Sequence, residues 1–291
     1  MQSIIGFCCV ILAGIGFGFL GIFGKLAFQS GMTVGELLTF RFAFAALIMW
    51  TALLIFRRDL IKLSRRQILI SSALGVFGYA VFSTLYFKSI QGLSVSLAAL
   101  LLFTFPIFVN LGEHFVLKQK MTSRQVMSLF LATLGIGILL WGPVFFDSLW
   151  FIIFALGAAF AYSIYVLVSG VYQKGIQPLS SSLYVITASA LALFFFHRPD
   201  IARLQQFSSD QIYYIFGLSI ICTILPITLF LIGLQRLSSG VASIVVMIEP
   251  VVAAFAAWMI LGEKLTPLQY LGMLLVFISL ALNSKTTEFS P

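Results

Sequence analysis

The sequence predicts an all-α integral membrane protein in which ten transmembrane helices form two inverted five-helix repeats. Three observations lead to this fold class. Of the 291 residues, 61% are hydrophobic and only 9% are charged, and the mean hydropathy is +1.11. Soluble domains do not reach this composition. The apolar residues are gathered into ten stretches, and the second half of the chain repeats the pattern of the first.

Ten stretches are long and apolar enough to cross a bilayer. A helix needs about 20 mostly apolar residues to span roughly 30 Å of hydrocarbon. The stretches show no two-residue alternation, so helices are predicted rather than the strands of a transmembrane barrel. The predicted spans are residues 3–23, 34–56, 68–87, 93–115, 125–141, 149–170, 181–197, 211–234, 240–261 and 267–283.

Each span is bounded by charges, Pro or Gly, the residues that mark connections between apolar helices. The breaks after the first five spans contain, in chain order, Lys25, residues 57–66, Lys88, Lys118 and Pro143. The breaks after the last five contain Lys174, Arg198, Arg236, Gly262 and Lys285.

The basic residues predict the orientation of the chain. With the N-terminus inside, 11 Lys and Arg residues fall on the cytoplasmic side and 5 on the other, while Arg41 lies within a span, which accounts for all 17. Cytoplasmic loops carry the excess of Lys and Arg in membrane proteins. We therefore expect both termini in the cytoplasm.

The chain matches itself at an offset of 144 residues without a gap. Ten identical pairs occur between residues 85–125 and 229–269, among them Pro106 with Pro250 and Lys120 with Lys264. Repeats bear on the fold before any other pattern. We predict two units, residues 1–145 and 146–291, each with five spans.

An odd number of spans makes the second copy enter the membrane from the opposite face. Two such bundles, related by a pseudo-two-fold axis in the membrane plane, form the architecture common to secondary transporters, with a site near the midplane. Alternating access follows only by analogy with other carriers of this architecture.

Motifs near the end of the chain carry a family resemblance. Residues 249–254 (EPVVAA), 261–267 (LGEKLTP) and the pair Leu271-Gly272 resemble the last two helices of an EamA-type transporter of the drug/metabolite transporter superfamily. Phe17-Gly18 and Arg41 resemble family features of the first two helices. The first copy departs from the pattern, because Phe105 replaces the acid. The resemblance implies an inner-membrane carrier of small metabolites, often an exporter of amino acids or related compounds.

Glu249 is the deepest carboxylate of the predicted spans, near the bilayer midplane. Ionisable residues at this depth are costly and are candidates for function. Glu249 could relay protons or bind a substrate ammonium group, or it could bond to backbone freed by Pro250. Pro106 and Pro250, in corresponding helices, are predicted to kink them at the cavity.

Arg41 lies roughly 10 Å from the outer face of the second predicted span. Its guanidinium could hold a substrate carboxylate with two hydrogen bonds. It could also pair with Glu36 or extend to the interface. We favour a structural or gating role for Arg41 and keep carboxylate binding as the alternative.

Three further polar residues are candidates for lining the cavity: Tyr79, Tyr162 and Asn110. Tyrosine offers an apolar ring and one hydroxyl, which suits amphipathic metabolites. Glu113 and His114 lie at the inner end of the fourth span, where a helix-end role is favoured over a proton relay. Gly14, Gly18 and Gly21 are expected to allow close helix packing.

Several function classes are disfavoured by what the sequence lacks. The three cysteines have neither metal-ligand nor disulfide spacing, so no metal and no cofactor is expected. The basic residues lie in short loops, which indicates lipid headgroups rather than nucleic acid. No phosphate-binding loop is present, so a gradient would drive transport, with protons as a candidate coupling ion. A channel or membrane scaffold is the alternative, and a membrane-embedded enzyme is less favoured. The oligomeric state is not predicted.

Overall fold

The computed structural model describes residues 2–142, 147–262 and 264–284. In this part of the chain two short 3-10 helices, Arg58–Ile61 and Ile201–Gln206, lie in loops, and ten membrane-length or near-membrane-length helices hold most of the residues. We number them α1 (Gln2–Gln29), α2 (Val34–Phe56), α3 (Arg65–Ser89), α4 (Val95–Phe115), α5 (Ser123–Leu139), α6 (Leu149–Tyr172), α7 (Pro178–His197), α8 (Ser209–Leu234), α9 (Ser239–Leu261) and α10 (Pro267–Ser284). Nine of these described helices are long and apolar enough to cross a membrane, and α5, with 17 residues, is shorter.

The predicted spans agree with the helices to within about three residues, with one exception. The first span was expected to end at residue 23, whereas α1 continues through a short second segment, Leu20–Gln29. Lys25 is exposed within that segment. One lysine does not end a helix, because its long stem lets the ammonium group reach the membrane interface. The expected boundary between the repeats, at 145 and 146, and Lys285 lie outside the described residues.

Polar caps set where many of the helices begin. Thr33, Ser64 and Ser208 each form a capping box with a Glu or Gln three residues later. Such caps bond the first amide groups, which have no partner within the helix. Thr122 and Ser238 accept from backbone amides in the same way at α5 and α9. The caps therefore satisfy amide groups where the chain enters the apolar layer.

The backbone repeats itself at the offset found in the sequence. Gly31 and Gly175 have φ of +90° and +91°, and Lys118 and Gly262 have φ of +55° and +69°. Both pairs are 144 residues apart. Because a left-handed conformation at a non-glycine residue is uncommon, its presence at Lys118 shows how closely the first copy keeps the backbone of the second.

Irregular segments also occur at equivalent depths in the two repeats. Helix α3 contains a π-helical segment, Leu74–Ala80, and α8 contains one at Ile220–Ile224. Helix α4 is interrupted at Phe103 and Thr104, and α9 has a 3-10 turn at Val246–Ile248. Pro106 and Pro250 follow these two interruptions. Irregular backbone is tolerated at membrane depth where protein or a cavity surrounds it.

Helices of the two repeats interlock. Helix α1 packs on α8 and α9 of the second repeat, and α6 packs on α3 and α4 of the first. We call α1, α8 and α9 the glycine group, and α3, α4 and α6 the aromatic group. The pairs α2 with α7 and α5 with α10 join equivalent helices. Each of these interfaces maps onto itself or onto another when the repeats are exchanged, as a pseudo-two-fold axis requires.

The surface around the bundle is apolar. Phe56, Trp141 and Phe195 are each at least 70% exposed, and many other large apolar side chains point outward. In water such a surface would be a strong association site. Around a bundle of long apolar helices, it is the surface that contacts lipid.

Candidate substrate site

Glu249 begins the second segment of α9, directly after the 3-10 turn and before Pro250. Its side chain is half-buried. Among the described residues, the carboxylate has neither a hydrogen bond nor an ion pair. Helix α1 approaches here so closely that a Cβ atom at Gly18 would lie 2.9 Å from the Glu249 carbonyl oxygen. The carboxylate is therefore a deep polar group that the described part of the chain leaves unsatisfied.

Aromatic side chains fill the corresponding level of the aromatic group. We call Phe42, Tyr79, Phe82, Phe105, Tyr162 and Tyr165 the aromatic cluster. The ring of Tyr79 lies 5.3 Å from Phe82, 5.5 Å from Tyr165 and 6.4 Å from Tyr162, in edge-to-face contacts. Phe105, at the position equivalent to Glu249, is 4.7 Å from Tyr162. These distances are typical of favourable aromatic pairs.

Arg41 is buried beside this cluster, with 2% of its surface exposed. Its guanidinium carbon lies 4.8 Å from the centre of the Phe42 ring. The Nε and Nη1 atoms are buried and have no hydrogen-bond partner among the described residues. Leaving a buried charge unpaired is expensive, so this guanidinium is suited to an anionic ligand.

The structure shows neither of the two arrangements expected as structural alternatives for Arg41, a pair with Glu36 or extension to the membrane interface. Glu36 instead binds Arg203, at 2.7 Å, and accepts from the Thr33 amide, at 2.8 Å. The burial of Arg41 also excludes extension to the interface. The Ser219 hydroxyl donates to the Arg41 carbonyl and joins α8 to α2 at this level.

Tyr79 connects the two charged residues. Its phenol interacts electrostatically with both Arg41 and Glu249. Glu249 interacts in the same way with Tyr162. Arg41, Glu249 and Tyr162 therefore lie within electrostatic or ring-contact range of Tyr79, and the carboxylate and the guanidinium form no ion pair with each other.

Asn110 is not part of this group. It is fully buried, donates to the Pro106 carbonyl at 2.7 Å and accepts from Gln125 at 2.8 Å. Its amide also reaches Ser243, at 3.4 Å. Asn110 thus lies in a separate polar network between α4, α5 and α9. Pro106 is at the edge of this network, whereas Pro250 is next to Glu249.

Glu113 belongs to the same network as Asn110. Its carboxylate accepts from the Gly240 amide and the Ser238 hydroxyl at the start of α9. His114 is exposed, with Nδ1 3.2 Å from the Gln119 carbonyl. The sequence placed both residues at a helix end but gave no role to Gly240, Ser243 or Gln125. An alignment of the two copies could have singled out Glu113, because the second copy has Ala257 instead of an acid at the equivalent position.

The glycines of α1 make the expected close contacts at two of the three positions. A Cβ at Gly14 would lie 3.2 Å from the Val246 carbonyl oxygen, and one at Gly18 would lie 2.7 Å from the Val252 Cβ. No atom lies within 4 Å of a Cβ placed at Gly21, so the prediction of close helix packing at Gly21 is wrong. Gly16 makes a third contact, on α8, with the Ile221 carbonyl oxygen 2.7 Å from its Cβ position.

Comparison with known proteins agrees with this architecture. The EamA-like transporter family matches the chain twice, over residues 4–141 and 149–285. The uncharacterized transporter YcbK of Bacillus subtilis (strain 168) is 24% identical over 93% of this chain and 90% of its own length. An uncharacterized transporter of Archaeoglobus fulgidus is 26% identical over 68% of this chain and 71% of its own. A protein of known crystal structure, 15% identical, shares the fold with a TM-score of 0.81 over 99% of this chain and 97% of that one.

Proposed function

Because the chain belongs to the EamA-like transporter family, we propose that this multi-pass membrane protein is a secondary carrier of a small metabolite. An amino acid or a related compound is the expected substrate, and alternating access is the expected mechanism. One observation carries the proposal. A buried guanidinium and a carboxylate, neither with a hydrogen-bond partner among the described residues, both lie within electrostatic range of Tyr79 in an inverted repeat.

The chemistry of this arrangement suits a ligand with two polar ends. Arg41 offers a planar donor group that matches a carboxylate. Glu249 offers an acceptor for an ammonium group, and the aromatic cluster offers apolar contact. A ligand of this kind would supply the partners that neither charged group finds in the described part of the chain.

The orientation and coupling are part of the same proposal. The excess of basic residues on one side supports both termini in the cytoplasm. The family resemblance supports the inner membrane. Export is the direction that the family resemblance favours. Glu249 is the candidate proton carrier, since intramembrane carboxylates commonly serve as proton relays.

The proposal is tested by counterflow in proteoliposomes of purified protein. Vesicles are loaded with an unlabelled amino-acid mixture, and uptake of a radiolabelled mixture is followed with amino acids, nucleosides or amines as competitors. We expect saturable uptake that one chemical class suppresses.

The controls use the same vesicles. Empty liposomes and the Glu249→Gln variant should show little counterflow. Flux that does not saturate or respond to competitors would favour a channel. No exchange of any compound by folded protein would reject the carrier assignment for these substrates.

A further inference from the structure

Helices α4 and α9 are equivalent, yet their first segments are packed differently. We call the face at which α1 begins and α10 ends the terminal face, and the other the opposite face. The first segment of α9 lies at the terminal face, and all residues from Ser239 to Ile248 are buried. The first segment of α4, Val95–Leu102, lies at the opposite face, and only Ala98 is buried there.

The neighbours of the two segments explain this difference. The first segment of α9 packs against the second segment of α4, Phe105–Phe115, and against α5 and α10. Over the described residues, the first segment of α4 has no comparable packing against α9, α5 or α10. The interface between α4 and α9 is therefore closed at the terminal face and open at the opposite face.

A carboxylate holds the closed end together. Glu113 is 4% exposed, and it accepts from the Gly240 amide at 3.0 Å and the Ser238 hydroxyl at 3.3 Å. These groups are at the N-terminus of α9, where amide groups lack helical partners and the helix dipole favours a negative charge. A charged acceptor makes these hydrogen bonds stronger than neutral ones. Glu113 on α4 thus binds α9 directly.

The approach of α4 to α9 also depends on Gly240. A Cβ at Gly240 would lie 2.6 Å from both Asn110 Oδ1 and Gln125 Nε2, and it would contact Glu113 Oε2. Asn110 in turn accepts from Gln125 and reaches Ser243 of α9. Three polar side chains, those of Glu113, Asn110 and Gln125, therefore meet the start of α9 at a point where a residue larger than glycine does not fit.

The equivalent positions at the opposite face cannot form this arrangement. An offset of 144 residues relates Glu113 to Ala257, Asn110 to Ala254, Ser243 to Ala99 and Gly240 to Ser96. The carboxylate, the amide and one hydroxyl are replaced by alanine, and the glycine is replaced by serine. The two copies thus share a backbone, but only the terminal face has the residues that form this polar network.

Solvent can reach the closed end from the terminal face. A cavity of about 220 Å³ adjoins the network, lined by Glu113, Gln125 and Ser238 together with Lys120, Thr122 and Arg236. A polar cavity of this size has room for several water molecules. The Glu113 carboxylate could exchange its α9 contacts for water there, so separating α4 from α9 does not leave a charge in hydrocarbon.

We propose that Glu113 is the gating residue of the terminal face. It holds α4 against the N-terminus of α9, and its release opens the carrier to that side. This role rests on the proposed alternating-access function. Because the opposite face lacks the carboxylate, Glu113 also determines that the resting chain is closed at the terminal face.

The test measures accessibility and needs no substrate. Ser243 and its counterpart Ala99 are each changed to Cys in a background in which Cys8, Cys9 and Cys222 are Ser. Labelling by a membrane-impermeant methanethiosulfonate reagent is timed from each face of proteoliposomes. Glu113→Ala should speed labelling at residue 243 from the terminal face about tenfold, as loss of a charge-assisted hydrogen bond implies. It should slow labelling at residue 99 from the opposite face.

A second variant keeps the proposal falsifiable if Glu113→Ala does not fold. The pair Ala257→Glu and Ser96→Gly places the carboxylate at the equivalent position of the opposite face and restores the glycine opposite it. It should slow labelling at residue 99 and speed it at residue 243. Gln269→Ala, which removes the counterpart of Gln125, is the matched control and should change neither rate. Unchanged rates at both sites in a folded variant overturn the role of Glu113. Altered rates without counterflow would support the gate and reject the carrier.

Discussion

The glycine group and the aromatic group have equivalent backbones but opposite side chains at the level of the candidate site. Where the aromatic group has Tyr79, Phe82, Phe105, Tyr162 and Tyr165, the glycine group has, in the same order, Thr223, Pro226, Glu249, Gly18 and Gly21. At this level the aromatic group is thus filled with rings. The glycine group has two glycines, a threonine and a proline together with one carboxylate.

This difference teaches that duplication provides the geometry and divergence provides the chemistry. The π-helical segments of α3 and α8 and the breaks of α4 and α9 are present in both groups. Only one break is followed by an acid. A symmetric site would offer a ligand two identical halves, whereas this site offers aromatic contact on one side and a charge on the other.

Removing the Glu249 carboxylate should abolish the main chemical difference between the two groups and have the largest effect on transport. We expect Glu249→Gln to lower counterflow about 100-fold, which corresponds to roughly 2.7 kcal/mol of lost binding free energy. If Glu249 carries protons, the remaining exchange should no longer depend on pH.

The matched control is the equivalent position of the aromatic group. Phe105→Leu should lower counterflow far less, because a similar apolar volume is kept. Unchanged pH dependence in a folded Glu249→Gln variant would reject proton coupling through this residue.

The close packing of the glycine group gives the next largest effect. Gly18→Val should lower the free energy of unfolding by about 2–3 kcal/mol, because its Cβ would lie 2.7 Å from that of Val252. Thermal unfolding in detergent measures the change. Gly21→Ala, three residues further on in open space, should be neutral or slightly stabilising. Equal losses in both variants would contradict the packing difference.

Arg41 tests whether the guanidinium shape matters beyond its charge. We expect Arg41→Lys to lower counterflow about tenfold, roughly 1.4 kcal/mol, because an ammonium group cannot make the planar paired hydrogen bonds. Arg57→Lys, in an exposed loop beside Asp59, is the control and should retain full activity. Wild-type counterflow in Arg41→Lys would remove Arg41 from the substrate site.

The smallest effect concerns the interface between α5 and α10, which has hydroxyls near one end and glycines near the other. Ser128 and Ser279 donate to each other's carbonyl groups, at 2.8 and 2.7 Å. Their positions are equivalent to those of Gly272 and Gly135, which also meet. Ser128→Ala should lower the free energy of unfolding by about 0.6–1 kcal/mol. Gly137→Ala, in open space on α5, should not lower the free energy of unfolding. An equal loss in both variants would mean that Ser128→Ala acts through the α5 helix itself rather than through its contact with α10.

Much of the candidate site follows from the sequence, and the exceptions have physical causes. Glu249 and Arg41 are recognisable as candidates because an ionisable residue within an apolar stretch is costly and therefore rare. Asn110 was chosen as a polar residue within a span. In the structure its side-chain amide forms hydrogen bonds with Gln125 of α5 and Ser243 of α9. A polar residue within a span is thus easily found, whereas its partners are not.

The sequence by itself determined the number of helices, their limits except at the end of α1, the repeat and the family motif. Each of these depends on local composition or on a comparison at one offset, and the cost of burying polar backbone in lipid leaves few alternatives. The tertiary structure decided that Arg41 has no partner among the described residues, that Glu36 binds Arg203, and that Glu113 holds the start of α9. These contacts join residues from 125 to 167 positions apart or, for Arg41, depend on what is missing around it. Such outcomes follow from how helices of both repeats pack, which no single stretch of sequence encodes.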